Sequence, residues 1–227
     1  MKIINCDQRG SDWFTARLGK PTASSMCEIV TRTGKLRTGA APRRYMLELL
    51  GERLTGYPTQ HFETEAMRRG VELEPRAIAY YEMVNGAEVE QVGFALDDSL
   101  RFGCSPDGMV GDDGGVEVKC PMQAGFLDVA TTGVLPDDHY IQVQSTLLIT
   151  GRAWWDYVLF TDARGLAPQV IRVLPAIAFH RKLRTALTTF CDELDALESN
   201  MRAAGHGYTE PKKEITQDEY AGCPFGE

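Results

Sequence analysis

Two acidic residues and one lysine that could cooperate in hydrolysis lie in the neighbouring segments Cys104-Ser-Pro-Asp-Gly108 and Val116-Glu-Val-Lys-Cys120. Carboxylate oxygens are the ligands that Mg²⁺ and Mn²⁺ prefer in proteins. Asp107 and Glu117 would hold such a cation, which activates water and neutralises charge that develops on a phosphate. Lys119 would orient or deprotonate that water, or stabilise the charged phosphate. Together the three residues predict metal-dependent cleavage of phosphodiester bonds.

A strand and a turn are expected to bring these residues together. Side chains alternate between the two faces of a strand, so Glu117 and Lys119 share one face. Val116 and Val118 then point to the core from the other face. The Pro-Asp-Gly turn signal would place Asp107 beside the same strand. The elements around the segment therefore predict two carboxylates and an amine around one point.

The spacing of an acid and a lysine is weak evidence when it stands alone. The same spacing occurs at Glu210-Pro211-Lys212, in a polar segment with no such turn before it. The pair at 117 and 119 differs because the strand, the alternation and the turn agree. The alternative for this segment is a solvated hairpin with ordinary surface charges.

Helical and strand-like segments along the rest of the chain predict an α/β fold. Period-two segments separated by turn residues predict an antiparallel meander over residues 88–120, with one strand spanning 88–96. Further strands are expected at 153–160 and 169–174, and helices at 41–55, 63–84, 138–149 and 176–203. Pro75 predicts a kink or a fresh helix start. Thr22 or the serines after it would cap a short helix that ends near Val30.

The length and composition of the chain favour one domain with a substantial core. The chain has 227 residues, of which 43% are hydrophobic. We expect a single nuclease domain over residues 1–204 and a loosely held polar tail over residues 205–227. The apolar stretches are too short for a membrane span or a signal peptide, which predicts a cytosolic protein. The six irregularly spaced cysteines are expected to be reduced.

Charge is distributed unevenly along the chain. The net charge of -8 argues against a phosphate-rich partner, because phosphate is neutralised by Lys and Arg. Residues 1–57 nevertheless contain ten Lys or Arg against five acids. A basic N-terminal region on an acidic body suits an enzyme that binds a cation in one place and phosphate in another. A solvated surface with uneven charge is the alternative.

Four blocks of sequence, in order between residues 13 and 148, resemble the phage lambda exonuclease family, the YqaJ-like viral recombinases. The blocks are Trp13-Phe-Thr-Ala-Arg17-Leu-Gly-Lys-Pro-Thr-Ala-Ser24, Gly70-Val-Glu-Leu-Glu74, the pair formed by Cys104 to Gly108 with Glu117 to Pro121, and Gln142-Val-Gln144. This family belongs to the PD-(D/E)xK nucleases. The resemblance implies a three-layer α/β fold whose restriction-endonuclease-like core has a central mixed sheet of about five strands flanked by helices.

The resemblance also implies a two-metal centre. Asp107 would bridge two Mg²⁺ ions, for which Mn²⁺ could substitute. Glu117 and the backbone carbonyl of Val118 would complete one metal site, and Glu74 would reach the other from its helix. The catalytic set implied in this way is Asp107, Glu117, Lys119, Glu74 and Gln142.

A second implied feature is a pocket for the 5′-phosphate of DNA. Arg17, Ser24, Ser105 and Gln142 would form this pocket, which suits a guanidinium beside a capped helix N-terminus. Met67 would act as an apolar wedge that helps to part the terminal base pair. The alternative for Met67 is a core position, because methionine commonly fills gaps in cores.

The activity implied by the resemblance is Mg²⁺-dependent 5′-to-3′ digestion of one strand of linear double-stranded DNA. Digestion would begin at a 5′-phosphorylated end and leave a 3′ single-stranded tail for recombination. The implied assembly is a ring-shaped homotrimer, and the implied partner is a phage single-strand annealing protein in the bacterial host cytoplasm. The alternatives are an endonuclease or another recombination or repair nuclease of the same fold, and a non-catalytic DNA-end-binding module.

Two residues depart from the family pattern. His139, with Tyr140 adjacent, stands where the family has a tyrosine just before the Gln-Val-Gln helix. Arg69 replaces an aromatic residue that can precede the helix glycine. For His139 a structural role with a hydrogen-bond partner is favoured over a catalytic one, because no second ligand accompanies it.

Overall fold

The computed structural model describes residues 1–59 and 64–208. Within these ranges the helices are α1 (Ser11–Arg17), α2 (Ala40–Thr55), α3 (Glu65–Asn85), α4 (Gln123–Thr132), α5 (Asp137–Thr150) and α6 (Ile177–Ala203). The strands are β1 (Lys2–Ile4), β2 (Val89–Glu90), β3 (Phe94–Leu96), β4 (Gly103–Cys104), β5 (Gly108–Val110), β6 (Gly114–Lys119), β7 (Trp155–Leu159) and β8 (Gln169–Val173). The second acid-lysine pair and the tail beyond residue 208 lie outside the described residues, so the domain boundary expected at 204 stays a prediction.

Five strands form the central sheet, in the order β2-β5-β6-β7-β8. β6 and β7 run parallel, with Glu117 opposite Tyr157. The other neighbouring pairs are antiparallel. α4 and α5 connect the two parallel strands, because parallel neighbours require a long crossover connection. The predicted mixed sheet of five strands is confirmed.

Helices cover both faces of the central sheet. On one face, Val116 and Val118 pack in a buried cluster with Leu73 of α3. On the other face, Tyr157 of β7 packs in a second cluster with Leu147 of α5. These clusters produce a layer of helix, a sheet and a second layer of helices, as predicted. Alternation along β6 turns its odd-numbered side chains toward the α5 side.

The strand expected over residues 88–96 is divided between two sheets. β2 pairs with β5 in the central sheet, whereas β3 pairs with β1 and β4 in a separate three-stranded sheet. The break includes Gly93, where a Cβ atom would collide with the backbone and thiol of Cys6. The close approach of the N-terminal segment therefore requires glycine and redirects the chain. The prediction of one continuous strand is wrong for this reason.

Helix α3 continues through Pro75 from Glu65 to Asn85, so the predicted alternative of a fresh start there is wrong. The Thr64 hydroxyl accepts a hydrogen bond from the Met67 N–H at the helix start (3.2 Å). Gly86 ends the helix in the left-handed conformation. Burial of the apolar face of α3 against the sheet offsets the backbone hydrogen bond that the proline removes.

The short helix expected after Thr22 is a 3₁₀ helix, Ala23–Glu28, and the Thr22 side chain makes no capping hydrogen bond. The predicted side-chain cap is wrong because Thr22 Oγ1 faces Ser24 Oγ at 3.3 Å. The sequence signals also did not indicate α1 and α4. Within the described ranges, no helix is long and apolar enough to cross a membrane.

Candidate active site

Strand β6 carries the predicted acid and lysine on one face. Lys119 Nζ lies 2.7 Å from Glu117 Oε1, while Val116 and Val118 are buried on the opposite face. Glu117 itself is only 1% exposed. A carboxylate buried so deeply is costly unless hydrogen bonds or a cation compensate it. The alternative of a solvated hairpin with surface charges is therefore wrong.

Gln142 of α5 joins the acid to the lysine. Its Nε2 donates to Glu117 Oε1 at 2.5 Å, and its Oε1 accepts from Lys119 Nζ at 3.0 Å. The sequence placed Gln142 both in the catalytic set and in the phosphate pocket. Both polar atoms of its amide contact Glu117 and Lys119, which supports the first of these roles.

Asp107 lies directly beside β6, as the turn signal predicted. Its Oδ2 accepts a hydrogen bond of 2.6 Å from the backbone N–H of Val118. Burial, followed by the charge of Glu117, raises the pKa of Asp107 well above its usual range. Lys119 acts in the opposite direction, and Glu74 raises the pKa further. The acids therefore repel one another across a shared space, as carboxylates at a cation site do.

Glu74 reaches the same space from α3. Together with Asp107 it lines a cleft of about 400 Å³. Burial raises the pKa of Glu74, whereas Arg9, whose Nη2 lies 3.6 Å from Glu74 Oε2, lowers it. The charge of Glu117 raises this pKa as well. The fold thus gathers the three predicted acids within electrostatic reach of one another.

The donor atoms at this site suit a divalent cation. Glu117 Oε2 is buried and has no hydrogen-bond partner among the described residues, although buried polar atoms are normally paired. Within those residues, no group of three or more His, Cys, Asp or Glu side chains converges closely enough to hold a metal ion by itself. Mg²⁺ fits such a partial set, because it commonly takes one or two carboxylates and fills its other positions with water and phosphate oxygens.

A second polar group contains two of the residues predicted to bind phosphate. The Ser105 hydroxyl accepts from Arg17 Nη1 at 2.9 Å and from Trp13 Nε1 at 2.8 Å. The Arg17 guanidinium lies over the Trp13 ring, 4.1 Å from its centroid. Trp13 is half-buried, so it fixes Arg17 and Ser105 as well as anchoring the N-terminal segment.

A cavity of about 360 Å³ adjoins this group, and its lining includes Arg9, Arg17, Ser25 and Met67. Met67 is 55% exposed, so the alternative of a core position is wrong. Ser24 is exposed on the 3₁₀ helix, while its neighbour Ser25 lines the cavity. Sequence reasoning missed Ser25 and Arg9. The basic count of the N-terminal region was the available signal for Arg9.

His139 has a structural partner. Its Nδ1 lies 2.8 Å from the hydroxyl of Tyr157, the residue opposite Glu117 on β7. Burial, followed by the charge of Lys119, lowers the pKa of His139 to about 4. A neutral imidazole at this point supports Tyr157, in agreement with the structural role expected from the sequence.

Arg69 ties α3 to the ends of β6 and β7. Its Nη1 donates to the carbonyls of Cys120 (2.8 Å) and Pro121 (3.2 Å), and its Nη2 donates to Asp162 Oδ1 (2.8 Å). The guanidinium therefore braces the backbone immediately after Lys119. This function was missed in the sequence, where only the position of Arg69 before the Gly70 block marked it.

A buried acid and a half-buried lysine on the central strand of a five-stranded mixed sheet, with an aspartate beside that strand, are typical of nucleases of the PD-(D/E)xK fold class. The model of the YqaJ-like viral recombinase domain matches residues 12–153, and the chain belongs to this family. The predicted kinship with nucleases of the lambda exonuclease type is confirmed.

Solved structures agree with this assignment. An alkaline exonuclease from Laribacter hongkongensis is 33% identical, with a TM-score of 0.79, over 86% of this chain and 98% of that one. The same enzyme in complex with dAMP aligns with 35% identity and a TM-score of 0.77 over the same shares. A phage-related exonuclease from Haemophilus somnus 129PT shares the fold (TM-score 0.60, 15% identity, 80% of this chain and 96% of that one). The comparison with curated proteins gave no match.

Proposed function

We propose that this nuclease is a Mg²⁺-dependent 5′-to-3′ exonuclease that digests one strand of linear double-stranded DNA from a 5′-phosphorylated end. The observation that carries the proposal is the buried Glu117 Oε2 without a partner among the described residues, beside Lys119, Gln142 and Asp107. Such an incomplete set suits a cation and a phosphate rather than a stable core. The homologous enzyme that was solved with dAMP supports a site for a nucleotide.

Each residue has a task in this proposal. Asp107, Glu117, Glu74 and the carbonyl of Val118 hold two Mg²⁺ ions, for which Mn²⁺ can substitute. When bound, the cations supply activation of water and neutralisation of the phosphate charge. Gln142 holds the Glu117 carboxylate and the Lys119 ammonium in one orientation, by the contacts described above. The catalytic set is then the one expected from the sequence.

The end of the DNA is held by a different group. Arg17, Ser105 and Ser24 together bind the terminal 5′-phosphate, the arginine through charge-assisted hydrogen bonds. Met67, which is exposed and lines the same cavity, separates the terminal base pair as an apolar wedge. The reaction leaves a 3′ single-stranded tail. A single-strand annealing protein receives this tail during recombination in the bacterial host cytoplasm.

Labelled DNA ends provide the direct test. Linear duplexes with a 5′-phosphate on either strand or on neither strand are incubated with and without Mg²⁺, and the released products are resolved. We expect mononucleotides from the phosphorylated strand only, and only with Mg²⁺. Asp107→Ala is the control for the proposed centre. Unchanged cleavage by that variant, or digestion that begins at 3′ ends, would overturn the proposal.

Closed circular DNA separates the proposal from its alternatives. An enzyme that requires an end leaves covalently closed plasmid intact, whereas an endonuclease converts it to open or linear forms. A non-catalytic end-binding module retains labelled ends without releasing nucleotides. Arg17→Ala should lower the preference for 5′-phosphate over 5′-hydroxyl ends, and an equal loss on both ends would contradict the role of Arg17.

We also propose that the protein works as a ring-shaped homotrimer. A ring would keep an acidic subunit on its DNA by enclosure, with basic residues along the channel rather than a basic net charge. Light scattering of the purified protein gives its mass in solution. A monomeric mass at the concentrations used for cleavage would contradict this assembly.

A further inference from the structure

A tight turn in the N-terminal segment lies between the two cavities of the site. The Gly10 N–H donates to the carbonyl of Asp7 at 3.1 Å, which closes a four-residue turn. Gln8 fixes this turn, because its Nε2 donates to the carbonyls of Val92 (2.9 Å) and Pro106 (2.7 Å). Pro106 immediately precedes Asp107, so the turn is attached to the segment that carries the central carboxylate.

The third residue of the turn is Arg9, and its backbone is left-handed, with φ of 69°. Turns with a positive φ at this position normally carry glycine or asparagine there. Leu100 is the other non-glycine residue with a positive φ within the described ranges. Gly10, the next residue, would adopt this left-handed conformation without strain, but the turn places Arg9 there instead. A large charged residue at a glycine position, held there by Gln8, is a local conflict of the kind found at functional sites.

Arg9 lies where the two cavities of the site meet. It lines the cleft that contains Glu74 and also the cavity that contains Arg17. Its side chain is 53% exposed, and its Nη2 lies 3.6 Å from Glu74 Oε2. This separation is too long for a hydrogen bond. The ion pair therefore keeps the guanidinium near the cleft and leaves its hydrogen-bond donors available within the described part of the chain.

We propose that Arg9 binds a backbone phosphate of the strand that extends from the Arg17 cavity to the acid cleft. This inference rests on the proposed function and adds a contact inside the strand to the contact at its end. A guanidinium suits this task because it bonds phosphate through two parallel donors and holds its charge at every physiological pH. The phosphate replaces Glu74 as its anionic partner, which leaves that carboxylate to a cation.

The substitution Arg9→Gly tests the contact with little risk to folding, because glycine suits the left-handed backbone better than arginine. The probe is a fluorescent linear duplex with a 5′-phosphate, titrated over a series of salt concentrations with EDTA and again with Ca²⁺. We expect binding about tenfold weaker than wild type, and a slope of log Kd against log salt smaller by about one. The Tm should be unchanged or higher. A purely structural role would leave the salt slope unmoved.

Control variants make the outcome specific. Arg181→Gln removes one charge from the exposed surface of α6 and should leave the slope as in wild type. Arg9→Gly should weaken binding to 5′-phosphate ends and to 5′-hydroxyl ends by the same factor, in contrast with Arg17→Ala. If Arg9→Gly has the affinity and salt slope of the wild type, this inference is overturned and the proposed function is unaffected. Failure of the wild-type protein to bind duplex ends in either condition would count against the proposed function itself.

Discussion

Two buried carboxylates on neighbouring parallel strands differ in how completely they are satisfied. Asp156 on β7 is 2% exposed, and both of its oxygens are bonded: Oδ1 to Arg172 Nε, and Oδ2 to Arg172 Nη2 and the Tyr81 hydroxyl, each at 2.8 Å. Glu117 on β6 is 1% exposed, but its Oε2 has no partner in the described part of the chain. The hydrogen bonds of Asp156 are complete, whereas Glu117 retains one unpaired oxygen among the described residues.

The difference is the one expected between a structural acid and an acid that binds a cation or substrate. A buried carboxylate with a full set of donors fixes its neighbours in place. A buried carboxylate with an unpaired oxygen costs free energy in the folded protein, and that oxygen remains available to a ligand. Glu117 is held by Gln142 and Lys119 on one side only. The packing of β6 therefore does not explain the unpaired Oε2 of Glu117.

The largest effect is expected from Glu117→Gln. The substitution keeps the shape of the side chain and removes its charge, so cleavage of labelled duplex ends with Mg²⁺ should fall by about 10³-fold. The free energy of unfolding should stay within about 1 kcal/mol of wild type, because the lost ion pair with Lys119 is offset by removal of an unpaired buried charge. Urea titration measures the second quantity. A large loss of stability with activity retained would place Glu117 in the structural class.

Asp156→Ala should give the converse result. Tyr81 loses its acceptor inside the core, and we expect a loss of about 3 kcal/mol in the free energy of unfolding by urea titration. Cleavage should be close to wild type at temperatures where the variant stays folded. Arg172→Ala is the matched control and should be at least as destabilising, because it leaves the buried Asp156 carboxylate without its charge partner. An inactive but stable Asp156→Ala protein would break the comparison.

The sequence was sufficient to predict where Glu117, Lys119 and Asp107 lie relative to one another. Alternation placed Glu117 and Lys119 on one face, and the turn signal placed Asp107 beside them, because both rules act over a few residues. The bounds of α2, α5 and α6 lie within one residue of those expected, since apolar periodicity and end signals mark such helices. Glu74 entered the predicted site through the resemblance alone.

The features that could not be predicted depend on distant contacts. Nothing near residue 93 indicates that the chain leaves one sheet for another, because the cause is Cys6 packed against Gly93. Helix α1 has no buried residue, so it shows no apolar face, and Trp13 is fixed instead by Ser105. The completed network of Asp156 was invisible for the same reason, since its donors come from α3 and β8.

The contrast recurs on helix α5, two residues apart. Gln142 contacts Glu117 and Lys119, whereas Gln144 donates to the carbonyl of Leu174 and accepts from the N–H of Ala176. Gln142→Ala should lower the cleavage rate by about 10- to 100-fold, because it releases the orientation of the catalytic pair. Gln144→Ala is the matched control and should reduce the Tm with little effect on rate. Equal rates in the two variants would remove the distinction between the two faces of α5.

The smallest effect expected is a pH dependence of the Gln144 network. His180 Nε2 lies 2.7 Å from Gln144 Oε1, an acceptor atom, so His180 is the donor. Burial lowers the pKa of His180, the hydrogen bond with Gln144 opposes that shift, and Arg184 adds to it. In the unfolded chain a histidine takes up a proton near pH 6.5. The contribution of neutral His180 is therefore present above that pH and is lost as the pH falls toward the lower folded value.

Urea titrations of wild type and His180→Gln at about pH 7.5 and about pH 5.5 measure this contribution. Between the two conditions, the free energy of unfolding of the wild type should fall more than that of the variant, because only the wild type carries the histidine at position 180 whose pKa is lowered on folding. His139, whose pKa burial lowers to about 4, also loses its contribution in this window, but it is present in both proteins and cancels in the comparison. Identical losses would mean that neutral His180 makes no pH-dependent contribution to stability through Gln144.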